Sequence, residues 1–224
     1  MVAPAAKKRV VAKPKLPARG TAVAVGIDRI DDEVTLTGVS LKQLDLRDRE
    51  LTQLALKKAD LGMVTFAGAH LFGLALEDAR LDRCDLANTA VEQGRFVRVE
   101  LDGCKLTGAV LNRSLVQDVR FVECRADYAQ WQGINTQRVD FINCNLDHAY
   151  FNDADLTGVR FRDCDLRNAD FSHAQLAGAD LRGSNLENIV ITVDQLRGMK
   201  VTTDQAIYLC GLIGLEIDDE VGLL

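Results

Sequence analysis

From residue 34 to residue 193 an apolar residue recurs at every fifth position, and the positions between are mainly polar. The series starts at Leu36 and ends at Ile191, and Thr136 is its polar member. A smaller residue, such as Ala59 or Cys84, often stands two positions before a member of the series. A period of five matches neither the 3.6 of an α-helix nor the 2 of a strand. It predicts a solenoid, because each short turn can bury its apolar residues only by stacking on the next turn.

Cysteines and aromatic residues also repeat, at intervals of twenty residues. The three sets are Cys84, Cys104, Cys124, Cys144 and Cys164; Phe121, Phe141 and Phe161; and Trp131, Phe151 and Phe171. Like residues recur where their environments recur, so one coil contains twenty residues and has four sides of five residues each. Residues 34–193 then form about eight coils of square cross-section.

The five-residue unit has a recognisable sequence. It occurs as Ala59-Asp60-Leu61, Ala154-Asp155-Leu156, Ala169-Asp170-Phe171 and Ala179-Asp180-Leu181. This unit resembles the pentapeptide repeat family, whose consensus is Ala-(Asp/Asn)-Leu-X-X, and the resemblance covers residues 34–193. It implies an all-β solenoid, a quadrilateral β-helix that is right-handed. The spacing pattern alone does not determine the handedness.

Composition separates four segments. Residues 1–20 carry six Lys or Arg, all three prolines and no acidic residue, which predicts a disordered basic tail. Such a tail either holds nucleic acid by charge or is a solvated extension, and its lack of aromatic residues favours the extension. Residues 21–33 are predicted to cap the first coil, since a bare solenoid end exposes unpaired backbone. After the repeat region, residues 194–224 are predicted to form a helical C-terminal cap, because helix-start signals stand at Thr192 and Thr203.

The C-terminal segment contains more apolar residues than the closure of one coil requires. The candidate dimerisation residues are Leu209, Leu212, Ile213, Leu215 and Ile217. A contiguous apolar surplus is typical of a partner surface, although the same residues could simply cover the last coil. In characterised antibiotic-resistance members of the family the C-terminal end forms a two-fold dimer. The resemblance therefore implies a homodimer.

The composition argues against catalysis and metal binding. The histidines occupy outward positions and the five spaced cysteines point into the core, so no ligand set gathers. No glycine-rich loop between strand and helix offers a phosphate site, and a filled solenoid lacks a concave pocket. We therefore expect no catalytic residue, metal, cofactor or small-molecule substrate. No apolar run reaches the ~20 residues of a membrane span and no secretory signal is recognisable. Buried free thiols indicate a reducing cytoplasm.

The acidic residues are concentrated on two neighbouring sides. The side with the inward cysteines, called the cysteine side, has seven acidic and four basic outward residues. The next side contains Trp131 and is called the tryptophan side. It has four acidic residues and one basic residue at outward positions. The side containing Phe121, called the Phe121 side, has eight acidic and seven basic outward residues. The fourth side has four acidic and five basic ones. The candidate partner-binding residues on the two acidic sides are Asp45, Asp85, Asp127, Asp147, Asp165, Glu187, Asp153 and Asp170.

Similarity to the quinolone-resistance members, of the Qnr and mycobacterial types, implies a function. Those proteins are rods that mimic duplex DNA and occupy the DNA-binding surface of DNA gyrase or topoisomerase IV. Eight coils would give a rod of ~38 Å, and the unbroken register, without projecting loops, is closer to the mycobacterial type. The expected function is protection of a topoisomerase from a drug, such as a fluoroquinolone, or from a toxin. The alternative is a non-catalytic protein-interaction scaffold of another role.

Overall fold

The structure, a computed structural model, describes residues 10–18 and 21–216. It is a parallel β-solenoid of about seven turns with a short helix near its C-terminal end. On the cysteine side, seven bridge steps of twenty residues join eight rungs, from Asp45 to Asn185. The eight predicted coils are these rungs, and the predicted β-helix is confirmed.

All strand pairs are parallel, and most of them are offset by twenty residues, as between Phe121 and Phe141. The strands are Val23–Ala24 (β1), Thr35–Thr37 (β2), Val39–Lys42 (β3), Glu50–Thr52 (β4), Ala55–Lys57 (β5), Asp60–Gly62 (β6), His70–Phe72 (β7), Ala75–Asp82 (β8), Ala90–Glu92 (β9), Arg95–Asp102 (β10), Leu115–Val122 (β11), Asn135–Ile142 (β12) and Arg160–Arg162 (β13). Two 3₁₀ helices span Ile27–Arg29 and Val193–Leu196, and one α-helix (α1) spans Thr203–Leu212.

The corners of the square are made by residues with positive φ. They stand two positions after an inward residue, as at Asn88 (54°) and Gly108 (65°), and even Lys58 (49°) adopts this conformation. Left-handed backbone costs an L-residue roughly 1–2 kcal/mol. Hydrogen bonds between coils offset this cost: the Asn88 amide donates to the Thr107 carbonyl over 2.9 Å. Each corner is therefore stable only as part of the stack.

The core is a set of columns along the rod axis. The rings of Phe141 and Phe161 stack with centroids 5.0 Å apart, and those of Phe151 and Phe171 stack at 5.1 Å. The two columns meet edge to face, as between Phe151 and Phe161. The column of five cysteines is buried and its thiols are free. Burial on this scale explains why the five-residue series is apolar at every position except Thr136.

The N-terminal residues differ from the prediction of a disordered tail over the part that the structure describes. Residues 10–18 lie along the rod, where Val11 is buried and the amide of Ala12 donates to Asp118. Residues 1–9 and 19–20 lie outside the described residues. In the predicted cap at 21–33, Ile30 is buried, and Arg49, at a position where small residues predominate, donates from Nη2 to the Ile30 carbonyl at 3.1 Å.

The C-terminal cap closes the last coil with two glutamines. Gln195 and Gln205 each complete a capping box, with Thr192 and Thr202. The side-chain amide of Gln205 also donates to the carbonyls of Leu181 and Ser184, both at 2.7 Å. These carbonyls have no following coil to bond to, so the glutamine replaces it.

Two sequence expectations for the cap need correction. The N-cap of α1 is Thr202 rather than Thr203. Leu209, a candidate dimerisation residue, is buried in the core of its own chain, because its side of α1 covers the end of the stack. None of the helices in the described part of the chain has the length and apolar character that a membrane-spanning helix requires.

Candidate protein-binding surface

The Phe121 side presents a ladder of alternating charge. Its residues, one per coil, are Asp60, Arg80, Glu100, Arg120, Asp140, Arg160 and Asp180. Asp60 pairs with Arg80 at 3.0 Å, Asp140 pairs with Arg160, and Asp180 pairs with Arg182 at 2.8 Å. Four acidic residues of this side, Asp60, Asp82, Asp140 and Asp180, are therefore in ion pairs. With eight acidic and seven basic outward residues, the side offers little net potential to a charged partner.

The fourth side is paired in the same way at its corner with the Phe121 side. Arg98 Nε lies 2.6 Å from Asp78 Oδ1, and Arg138 Nε lies 2.6 Å from Asp118 Oδ1. The guanidinium of the arginine lowers the pKa of each of these two carboxyl groups. Both aspartates are almost fully buried. Such pairs serve the stability of the rod more than recognition.

On the cysteine side several of the predicted binding residues are also paired. Arg47 binds Asp45, Arg167 binds Asp165, and Lys105 lies 3.8 Å from Asp85. The hydrogen bond from Arg47 lowers the pKa of Asp45 to about 2. These three carboxylates already have a cationic neighbour within the chain. Each therefore contributes less electrostatic attraction to a partner.

Other predicted residues of this side have weaker partners or none. Asp147 lies 3.0 Å from Nδ1 of His148 and accepts from the side-chain amide of Asn168. Asp127 accepts from the Thr107 hydroxyl at 2.9 Å. Among the described residues, Asp127 and Glu187 have no cationic side chain within 4.0 Å.

The tryptophan side has no ion pair among residues 10–18 and 21–216. Its acidic residues are Glu50, Glu92, Asp153 and Asp170. Burial would raise the pKa of Asp170, but hydrogen bonds from Ser172 and Asn152 lower it. Glu92 and Asp153 line a shallow concavity of about 500 Å³ together with Arg113, which forms no ion pair of 4.0 Å or less with either of them. The predicted site residues Asp153 and Asp170 thus lie on the side with the least internal compensation.

An aromatic cluster stands where the two acidic sides meet. The rings of Tyr128 and His148 stack with centroids 4.8 Å apart, on successive coils. Tyr150, two residues beyond His148, is 40% exposed, and Tyr128 is 49% exposed. Exposed tyrosines are common in the energetically important part of interfaces. The sequence prediction missed this cluster, although aromatic residues at outward positions of a repeat that buries its aromatics are a usable signal.

We name the tryptophan side, together with its corner to the cysteine side, the acidic corner. Asp127 and Tyr128 lie at that corner, Tyr150 lies on the side itself, and Glu92 and Asp153 lie at its far edge, next to the fourth side. In the described part of the chain, no three His, Cys, Asp or Glu residues come together in a way that could hold a metal ion. The surface combines uncompensated carboxylates with exposed aromatic rings. That combination suits recognition of a cationic protein surface.

Comparison with known proteins establishes the family. A model of the pentapeptide repeat region matches residues 74–151, and a model of eight pentapeptide repeats matches residues 137–172 and 149–188. Together the matches extend over residues 74–188, about half of the chain. The chain therefore belongs to the pentapeptide repeat family. No curated protein sequence matches it significantly.

The fold is shared with a solved structure at low sequence identity, and a second solved structure matches less of the chain. A trypsin-treated variant of QnrB1, a plasmid-mediated fluoroquinolone resistance protein, is 20% identical, with a TM-score of 0.52 over 88% of this chain and 98% of that chain. HetL from the cyanobacterium Nostoc sp., a pentapeptide repeat protein involved in heterocyst differentiation regulation, is 19% identical, with a TM-score of 0.43 over 77% and 89%. An identity of 20% together with a TM-score of 0.52 shows a shared fold. It does not show a shared function.

Proposed function

We propose that this protein is a non-catalytic, DNA-mimicking rod that binds a type II topoisomerase, DNA gyrase or topoisomerase IV, and protects it from a drug or toxin. The acidic corner would occupy cationic groups that otherwise hold DNA phosphates. A homodimer through the C-terminal cap would lengthen the rod, and the free thiols suit a cytoplasmic location.

The observation that carries this proposal is where ion pairing is absent. The Phe121 side and the fourth side contain close Arg–Asp pairs, whereas the described acidic residues of the tryptophan side have none. Carboxylates without an ion pair, such as Glu92, Asp127 and Asp153, therefore border the tryptophan side of the rod, Asp127 at one edge and Glu92 and Asp153 at the other. Charges in such an arrangement can steer a cationic partner and fix its orientation.

The length of the rod is compatible with mimicry of duplex DNA, whereas its charge density is well below that of DNA. Seven steps of ~4.8 Å give a rod of ~34 Å, the length of ~10 base pairs. Duplex DNA of that length carries ~20 charges at one per ~1.7 Å, whereas the two acidic sides have a net charge of −6 from 11 acidic and 5 basic residues. Binding would thus depend on shape, placed carboxylates and the tyrosines more than on bulk potential.

A second candidate is a protein-interaction scaffold with another partner. The pairing of Asp45, Asp85 and Asp165 with neighbouring cations favours it, because these carboxylates lie on the side expected to imitate phosphates. The two functions differ in whether the partner recognises the acidic corner.

Charge reversal tests the proposal. The variant Glu92→Lys, Asp127→Lys, Asp153→Lys removes three carboxylates of the acidic corner. A matched control is Asp102→Lys, Glu123→Lys, Asp163→Lys on the Phe121 side, where these residues are exposed and form no ion pair with any described residue. By calorimetry against purified gyrase, we expect at least a tenfold loss of affinity for the first variant and less than threefold for the control. Equal losses, or no gyrase binding by the unmodified protein, would support the scaffold.

A further inference from the structure

The corner diagonally opposite Tyr128, between the fourth side and the Phe121 side, contains the longest strands of the rod. Strands β8, β10, β11 and β12 are eight residues each and continue from the fourth side onto the Phe121 side. We call this surface the long-strand corner. Residues 10–18 lie along it, parallel to the rod axis, and reach coils that are more than sixty residues away in sequence.

Two backbone hydrogen bonds hold this segment. The Lys15 amide donates to Asp78 Oδ1 at 2.9 Å, and the Ala12 amide donates to Asp118 Oδ1 at 3.2 Å. Three extended residues span ~10 Å, and two coils span about the same distance at ~4.8 Å each. The aspartates on alternate coils are therefore spaced to bind every third amide of an extended peptide.

The two carboxylates are fixed in place before any peptide arrives. Arg98 donates to both oxygens of Asp78, at 2.6 and 2.8 Å, and Arg138 donates likewise to Asp118. An aspartate held by a bidentate arginine keeps one orientation and can still accept an amide. Such a preorganised acceptor lowers the entropic cost of binding.

The segment also makes an apolar contribution. Val11 is only 6% exposed, so the rod covers it. Val97 occupies an outward position on the coil between Asp78 and Asp118 and is 4% exposed, whereas its equivalents one coil away, Glu77 and Gln117, are more accessible. Burial of an outward valine at the place that the segment crosses indicates that Val97 is part of the docking surface.

The sequence of the segment suits an extended ligand. Pro14 lies between Ala12 and Lys15, whose amides donate to the aspartates. Proline has no backbone N–H, but neither aspartate requires one from this position. Pro17 stands two residues after Lys15. Proline fixes φ and disfavours helix in the residue before it. The segment is therefore biased toward the extended form before it docks.

We propose that the long-strand corner is a peptide-binding site, and that its ligand is an extended, proline-containing basic segment recognised through its backbone amides and one valine. Residues 10–18 of the same chain are the resident ligand. A peptide of this class binds in trans when the resident segment is displaced. The site lies where the fourth side meets the Phe121 side, and it does not depend on the identity of the partner that the acidic corner binds.

The resident contact is tested in the full chain by amide hydrogen exchange. The amides of Ala12 and Lys15 should exchange at least tenfold more slowly than in a free peptide of residues 9–18. Asp78→Ala with Asp118→Ala should remove this protection. The control, Asp153→Ala with Asp163→Ala, changes aspartates that also have positive φ, and it should leave the protection intact. Unprotected amides in the unmodified protein, or protection that survives the first pair of changes, would overturn the proposal.

Binding in trans is tested with a variant that keeps the rod unchanged. In Val11→Asp the resident segment loses its buried side chain, while every coil retains its sequence. A fluorescent peptide of residues 9–18 should bind this variant at least tenfold more tightly than the unmodified chain, and adding Asp78→Ala and Asp118→Ala should abolish the gain. Equal peptide binding by Val11→Asp and the unmodified chain would overturn binding in trans. Protection of Ala12 that disappears on dilution to monomer would instead show that a second copy supplies the segment, and would overturn the resident ligand.

Discussion

The rings of Phe121 and Phe141 stack with centroids 4.6 Å apart and an angle of 6° between their planes. Phe141 also stacks on Phe161, so both of its faces are covered. Truncating it would leave a cavity in a column that cannot collapse without breaking the coil spacing. We expect Phe141→Ala to lower the free energy of unfolding by about 3–5 kcal/mol.

Phe72 gives the matched control for this measurement, since it is 41% exposed on the tryptophan side. Phe72→Ala should cost less than about 1 kcal/mol in the same urea titration, as surface substitutions usually do. Similar losses for the two variants would contradict a continuous stack at Phe141.

The cysteine column should be unreactive in the native protein. Each of the five cysteines is at most 3% exposed, and the Sγ of Cys104 lies 3.5 Å from the Leu81 carbonyl oxygen and 3.6 Å from that of Asp102, one of which accepts its hydrogen. The neighbouring thiol of the column and burial raise the pKa of Cys84 and of Cys164. A thiol reagent should therefore modify Cys210 alone, which is partly exposed, and should reach all six cysteines in denaturant. Rapid native labelling of several column thiols would contradict their burial.

Acid should destabilise the rod below about pH 4. The arginine partners lower the folded-state pKa of Asp78, Asp118 and Asp180, whereas an unfolded aspartate titrates near ~3.9. Carboxyls of depressed pKa stabilise the fold fully above the unfolded value, and this contribution is lost as pH falls through the folded value. Thermal midpoints should thus be nearly flat from pH 7 to pH 5 and fall steeply between about pH 4 and pH 2.

Arg138→Gln is the control for the acid transition. Without the guanidinium, the buried carboxyl of Asp118 should titrate at a higher pH, because burial disfavours its charged form. The fall in thermal midpoint should then begin at a higher pH than in the unmodified protein. An unchanged pH profile would mean that this ion pair does not contribute to acid stability.

The C-terminal cap is expected to form a dimer through its outer face. Leu212 and Leu215 are 44% and 55% exposed, Ile213 is partly exposed, and Ile217 lies outside the described residues. Leu212→Glu with Leu215→Glu should halve the mass measured by light scattering at micromolar concentration without lowering the thermal midpoint. Leu209→Ala, by contrast, should lower the midpoint because Leu209 is buried in its own chain. A monomeric unmodified protein would contradict the dimer.

The architecture was predictable because it depends on which residues point inward. In a filled solenoid, a large apolar side chain such as that of Phe141 can be accommodated only in the core. The twenty-residue spacing of the cysteines gives the number of residues in one coil. Surface pairing was not predictable to the same degree. Asp165 and Asp127 occupy the same side, yet only Asp165 has an arginine two residues away that folds back onto it.

The docking of residues 10–18 could not be predicted from composition. Composition gives the number of charges and prolines in the segment, but it does not show which side chains of the rod accept hydrogen bonds from its backbone amides. The aspartates that hold this segment become a pair only when Asp78 and Asp118 stand two coils apart. The position of Leu209 was missed for a related reason. An apolar run in a terminal helix does not reveal which side of the helix meets the last coil.

The central claim, protection of a topoisomerase through the acidic corner, is tested most directly by a gyrase cleavage assay with a fluoroquinolone. The unmodified protein should reduce the linear DNA that drug-treated gyrase produces, at concentrations near those of the enzyme. The variant Glu92→Lys, Asp127→Lys, Asp153→Lys should lose this effect, and Asp102→Lys, Glu123→Lys, Asp163→Lys should keep it. An unmodified protein that leaves the amount of linear DNA unchanged, or a corner variant that still protects, would contradict the account.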